Sequence, residues 1–500
     1  MRRALAVIVA VVVGVLAVSQ VEPSAPAAPE FDTPTLELEG ATGDPSAWYC
    51  PWAAAGALRD SALNLASAID VDATITLPNP NPTEEASVAE YSLRGPGARS
   101  VDQGTIVRRG TQPAIVEFDD GPAVATTATW SEEMLTGDRC VISVPKEWHL
   151  PGGITAEGFT LQLQLFNPFA EPAKVTVESI SEFGRSTLGG FDNRDIPGRS
   201  WVTEDLSRLI PFLDIVTLTI RTESGIVIPA FVLNDGTDEA SWPATGQSTT
   251  WDFPVTTLPG LEPTLILSNT GSTDTIVSID LYTPDGPILD ADARIVSPIE
   301  PMRVHLADIA EPPYAVRVRA DAPIGALIQA GPPGTFPKTE LPEGGEFDET
   351  TTDETTTTAA GSDTTAAGAS TDETTTTVGE GGEAPEATTY TGLAAMPGTT
   401  EPLQRWLVPG LGVVPGAETS VWVLNPTGDD AIVTLEPLGV PSYENQEVLI
   451  QPGRYVEIPV GPLSETGSSA FLVNASVPVS VAVSVAGPQG VAFIGGVGIG

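Results

Sequence analysis

Five hundred residues hold only two histidines, His149 and His305, and three lysines, Lys146, Lys174 and Lys338, so proton relay and amine nucleophiles have few candidates. His149 falls inside a Trp-x-x-Pro motif, and His305 alternates with Val304 and Leu306 on a predicted strand. Neither a G-x-S-x-G elbow nor an H-E-x-x-H helix occurs, the spacings that would place a hydrolytic serine or a zinc ion. Carboxylates are abundant enough to pair for glycoside hydrolysis, yet a cleft for them requires one repeat to diverge strongly from its neighbours. Acidic turns at Asp70/Asp72, Asp119/Asp120, Asp192/Asp195, Asn234/Asp235/Asp238/Glu239 and Asp290/Asp292 are the places to look for calcium. None has the D-x-[DN]-x-[DN]-G-x5-E spacing, and ordinary turn chemistry accounts for them. The sequence assigns no catalytic residue, no metal ligand and no cofactor. The chain is expected not to be an enzyme.

Charge and cysteines narrow the setting. Lys and Arg number 22 against 66 Asp and Glu, a balance of 22 − 66 = −44, which argues against nucleic acid and anionic lipid as partners. Arg2 and Arg3 precede an apolar run from Ala4 to Val18, and Ala17-Val18-Ser19 supplies a small-x-small cleavage pattern. Residues 1–19 therefore read as an export signal, either cleaved or kept as an anchor, followed by a stalk over 20–47. The expected location is extracellular or in the cell envelope. Cys50 and Cys140 form an even pair in such a chain, where oxidation is permitted. A bridge between them would stabilise by about 4–5 kcal/mol in the chain-entropy model. Two buried thiols are the alternative.

Internal repeats organise the rest. Trp-x-x-Pro occurs at Trp48 to Pro51, Trp148 to Pro151, Trp251 to Pro254 and Trp406 to Pro409. An alternating apolar strand ending in Asn follows each, at Asn79, Asn167, Asn269 and Asn425, with Trp-to-Asn separations of 31, 19, 18 and 19. The long first separation predicts an insertion around Ala53 to Ala62. Pro-x-Arg recurs before a later strand at Arg199, Arg303 and Arg454, which are expected to pair with surface acids. Each copy closes on two strands separated by a turn. Period-2 alternation, Gly and Pro punctuation and a spacing near 100 residues predict an all-β chain of tandem immunoglobulin-like antiparallel sandwiches. The expected modules are 48–147, 148–250, 251–335 and 404–500. In this reading the tryptophans, prolines and asparagines of the motifs serve the fold, and sugar stacking by the indoles is the minor alternative.

Between the third and fourth copies, Glu340 to Tyr390 carries 13 acidic residues, 16 threonines and no Lys or Arg. Such a composition cannot bury enough surface to offset its ordering entropy. Residues 336–403 are thus predicted to be a disordered Thr/Glu-rich linker, bare or O-glycosylated, and 404–500 to fold alone.

The arginine-led signal, the Trp48-Tyr49-Cys50-Pro51 start, the strand-Asn-Pro repeats and the acidic insert together resemble a family of exported actinobacterial proteins of uncharacterised function. The resemblance implies location and fold, and carries no activity. Two classes of function stand: a non-catalytic envelope scaffold or adhesion array, and a glycan-binding or carbohydrate-active wall protein. The corresponding partners are envelope proteins and cell-wall glycan. Nothing in the sequence sets an oligomeric state.

Overall fold

The computed structural model describes residues 46–338 and 388–499, apart from 57, 82, 108–109, 411–413, 440–444 and 462–469. The export signal, most of the stalk and the greater part of the acidic linker lie outside the described residues. The described chain is almost wholly antiparallel β-structure. Alternation is the cause. Val71–Leu77 and Ala173–Ser181 bury every second side chain along most of their length, the period a half-buried strand requires.

Four consecutive stretches each fold as a pair of packed sheets. The second pair shows the plan. Its leading strand, Glu147–Gly153, pairs with Val216–Ser224, which pairs with Ala173–Ser181. The facing sheet runs Ser200–Asp205, Thr160–Asn167, Ile228–Asn234, Glu239–Pro243. Leu163 and Leu165 from this sheet meet Val175 and Val177 from the other in one core. The first pair repeats the plan, with Ser46–Cys50 leading one sheet and Leu135–Arg139 closing the other.

In the third and fourth pairs the expected turn between the last two strands is absent. Ala315–Gly331 and Ala470–Gly487 are single strands of 17 and 18 residues that leave one sheet and enter the other. Ala315 to Ala320 pairs with Thr275–Thr283, whereas Gly325 to Gly331 pairs with Glu262–Ser268. The second pair turns at Gly225, whose φ of 71° suits glycine. Ala320-Asp321-Ala322-Pro323 and Ala475-Ser476-Val477-Pro478 have no glycine to reverse the chain, so it stays extended through the bend.

Two further expectations are corrected. Ala394–Pro397 is a strand paired with Leu327 to Ala330, so residues 388–403 belong to the fold and not to a linker over 336–403. The acidic stretch is thereby an insertion within the third sheet pair, lying between two strands that pair with each other. Asn79 is also out of register with the other asparagines. The strand equivalent to Thr160–Asn167 in the first pair is Asp60–Ser67, since both pair with the second-to-last strand of their sheet. Its terminal Ser67 lies 19 residues after Trp48, so the first copy carries no insertion at 53–62.

The four closing strands meet one another. Leu135–Arg139 packs against Glu239–Pro243 and Gly490–Gly495, and Ala394–Pro397 packs against the same two. Each thus touches two neighbours, in the cyclic order first, second, third, fourth, first. The leading segments cross the seams in the same sense. Trp52 and Ala54 cluster with Ala230 and Val232 of the second pair, and Gln329 of the third pair donates to the Gly152 carbonyl at 2.8 Å. Ser480 of the fourth pair donates to Asp252 of the third at 2.6 Å, and Leu407 of the fourth enters the core of the first. The described residues of the four sheet pairs close into a ring.

Candidate functional site

The repeat landmarks are consumed by this architecture. Trp48, Trp148, Trp251 and Trp406 are at most 3% exposed, and Pro51, Pro151, Pro254 and Pro409 are buried beside them. Three of the indole N–H groups donate to a carbonyl at or just before the second-to-last strand segment: Trp148 to Val227, Trp251 to Ile324 and Trp406 to Val479, at 2.9–3.0 Å. Trp48 has no such acceptor among the described residues, and Pro122, at the equivalent place, accepts from Ser67.

The asparagines act as three-way staples. Each Oδ1 accepts the N–H two residues on, at Phe169, Gly271 and Thr427, which is an Asx turn. Each Nδ2 donates to the carbonyl four residues on and to a distant strand, at Ile196, Val296 and Ile450. Asn79 makes the Asx turn with Asn81, but its Nδ2 donates to the Glu84 carboxylate at 3.0 Å and staples no distant strand among the described residues. Cys50 and Cys140 are bridged at an S–S distance of 1.96 Å, tying the leading strand to the residue after the closing strand. Among the described residues the Pro-x-Arg arginines form no ion pair with an acid, contrary to the expectation. Arg303 and Arg454 donate to the carbonyls of Pro337 and of Pro284 and Asp285, and the Arg199 backbone N–H bonds Phe169.

Among the described residues a Thr-His-Glu constellation has catalytic residue types, but it is turned inside out. His149 places Nδ1 3.5 Å from Thr219 Oγ1 and Nε2 3.4 Å from Glu147 Oε1. The hydrogen bond from His149, helped by Arg221, holds the Glu147 carboxyl down at about 2. A hydrolytic relay needs its hydroxyl at the substrate and its carboxylate behind. Here Thr219 is buried and Glu147 faces solvent, so no substrate carbonyl reaches the hydroxyl. His305, on the third sheet pair, bonds the Pro337 carbonyl and is pushed down by burial. Among the described residues no group of three or more His, Cys, Asp or Glu side chains is placed to hold a metal ion.

A group of buried acidic side chains lies where the ring closes: Asp138, Asp238 and Glu239. The acidic turn at Asn234 to Glu239, weighed above as a calcium loop, lies at the junction of the closing strands. Asp238 accepts backbone N–H groups from Glu239, from Leu135 of the first pair and from Leu393 of the third. Asp138 accepts from Ser241 across the first seam, and Arg59 pairs with Glu239 at 3.2 Å. Burial pushes Asp138 and Asp238 each up to about 7. The sequence offers the acidic turn itself but not its partners Arg59, Leu135, Asp138 and Leu393, because the closing strands share no motif and these members come from distant segments.

Residues 121–396 match the model of a family described as being of unknown function, DUF5719, over more than half of the chain. The match ends inside the strand Ala394–Pro397, which closes the third sheet pair. No curated protein matches the sequence.

Proposed function

We propose, from the premise that this chain belongs to the DUF5719 family of unknown function, that it is a non-catalytic exported scaffold of the cell envelope, built of four tandem immunoglobulin-like sandwiches. The observation that carries this reading is the closed order of the four closing strands. Such closure turns a string of modules into one stiff body, which suits presentation of outward-facing surfaces more than opening around a substrate. The Trp, Asn and Cys residues of the repeats are spent on the fold, and the Thr-His-Glu group has its hydroxyl buried. Export rests on residues 1–19. No helix among the described residues is long and apolar enough to cross a membrane.

The glycan-binding reading keeps one specific support. The four landmark indoles have no face to offer a sugar, but Phe183 and Phe212 are 81% and 74% exposed. Their loops are joined where Glu182 Oε1 accepts the Asp214 N–H at 2.9 Å, and Phe212 is held at a φ of 64°, unusual for a bulky residue. Purified full-length protein titrated with solubilised wall polysaccharide separates the two readings. The scaffold reading expects no saturable binding. Saturable binding that falls at least tenfold in Phe183→Ala/Phe212→Ala would replace it with the glycan reading.

A further inference from the structure

We propose that the strand Gly286–Val296, at the free edge of the third sheet pair, is a self-recognition surface, which pairs antiparallel with the same strand of a second copy of the chain about a two-fold axis at Ala293. The edge comes first. Gly286–Val296 ends its sheet, with Thr275–Thr283 as its ladder partner on one side and no strand among the described residues on the other. The equivalent edges of the other pairs are shorter. Ser87–Leu93 has 7 residues, Gly184–Thr187 and Arg194–Ile196 have 4 and 3, and Gln446–Ile450 has 5, against 11 here. Neighbours engage both ends of the long strand: Arg454 of the fourth pair bonds the Pro284 and Asp285 carbonyls, and Arg185 of the second bonds that of Pro298. The ladder also shifts register between Ile288 and Asp292, where Asp290 takes a φ of 49°. Residues 291–295 stand open between these points, with a row of backbone groups of the kind that another strand satisfies. At their centre the Ala293 N–H is met by Asp292 Oδ1 of its own strand, at 2.9 Å.

The side chains choose the partner. Ala291-Asp292-Ala293-Arg294-Ile295 is complementary to its own reversal. With Ala293 opposite itself, Asp292 of each copy faces Arg294 of the other, and Ala291 faces Ile295. Arg294 is prepared for this. Its Nε donates to Asp292 of its own strand at 2.7 Å, and its two terminal nitrogens have no partner among the described residues. Pairing would close a ring of two arginines and two aspartates. Centring the axis on Asp292 or on Arg294 instead would set like charges opposite one another, which destabilises a strand pair. A foreign edge without a base and an acid in this order meets unpaired charge, so the same groups select a second copy.

The outer face adds apolar contact. Ile295 stands opposite Ile276 in the ladder, and the two are 63% and 58% exposed. The fold does not require an apolar rung there. The second pair fills it with the Lys174–Asp195 ion pair, and the first with Asp72 opposite Ser92. Joining two copies sets Ile295 beside Ala291 of the other and covers part of it. The fourth pair has an apolar rung as well, Ile432 opposite Leu449, but its edge strand carries Glu447 and no base.

Sedimentation velocity on the full-length chain in low salt tests this. Concentrations should run from about 5 to about 500 μM, since roughly five residues a side make a small interface. The parent should pass from monomer to dimer across that range. Arg294→Asp and Asp292→Arg should each raise the dissociation constant at least tenfold, because each sets like charges opposite one another twice. An equimolar mixture of the two should regain the dimer, since every acid then faces a base again. Ala293→Cys should oxidise to a disulfide-linked dimer, as the two Cα atoms would lie about 4.5–5.5 Å apart. Ile276→Cys, one strand further in, should not. A parent that stays monomeric at about 500 μM overturns the proposal. So does a dimer that the folded variants leave intact, or that their mixture fails to restore. Should the charge variants misfold, Ala293→Cys decides: an oxidised product that remains monomeric overturns the pairing.

Discussion

The fragment 404–500 is expected to be molten or insoluble when expressed alone, although it contains a full set of repeat landmarks. Leu407, Leu438, Leu472, Val497 and Ile499 pack in the core of the first sheet pair, and Trp422, Val491 and Phe493 pack in that of the third. Isolation would expose much of this surface. Eight large apolar side chains at roughly 1.5 kcal/mol each, the low end for burial, amount to about 12 kcal/mol. That is comparable to the whole stability of a typical domain, roughly 5–15 kcal/mol. The fragment also lacks Asp252, the acceptor for its buried Ser480. Circular dichroism and amide proton dispersion check this: a dispersed spectrum with cooperative unfolding would show that the seams contribute little.

Asp252→Ala is expected to be among the most damaging single substitutions in the chain. The carboxylate is fully buried, accepts two bonds from Arg317 at 2.6 and 2.8 Å, and takes a third from Ser480 of the neighbouring sheet pair. Removing it leaves a half-buried guanidinium and a buried hydroxyl without their acceptor, a loss of about 3–5 kcal/mol. Asp290→Asn touches an ion pair with Arg319 whose carboxylate is 65% exposed, and should cost less than about 1 kcal/mol. Urea denaturation of the full chain measures both. Similar midpoints for the two variants would mean that Asp252 does not join the third and fourth pairs.

How far the sequence is legible depends on where a signal comes from. Half-buried strands announce themselves, because a strand with one wet face must alternate, as Val175-Thr176-Val177 and Val433-Thr434-Leu435 do. Trp-x-x-Pro and strand-terminal Asn are visible because each does the same local job in successive copies. The first copy is misread because Ser67 does the work of the asparagine: its hydroxyl accepts the Ile69 N–H as Asn167 accepts that of Phe169. Asn79, placed by chance after an alternating strand, draws the register to the wrong element.

Val491 to Ile494 reads as a strand and is one, within Gly490–Gly495, but the closing strands of the first and third pairs are invisible for a different reason. Leu135-Thr136-Gly137-Asp138-Arg139 and Ala394-Ala395-Met396-Pro397 have neither alternation nor β-branched enrichment, since both of their faces are covered, one by their own core and one by a neighbour. Burial on two sides erases the period-2 pattern. The ring and the Asp238 joint are built from these strands, so both escape a reading made one repeat at a time. The same blindness assigns 388–403 to a linker, because the acidic stretch before it dominates the local composition.

The ring is most directly tested by cutting the chain where the acidic insertion stands. A specific protease site introduced within 339–387 would divide the protein into a piece ending before Tyr390 and a piece carrying Ala394–Pro397 and the fourth sheet pair. The disulfide cannot hold them together, since Cys50 and Cys140 are both in the first piece. After complete cleavage, gel filtration coupled to native mass measurement should find one particle containing both pieces, with the retention volume of the uncut protein, and they should part only in denaturant. Two pieces that elute separately under native conditions would contradict the closed ring.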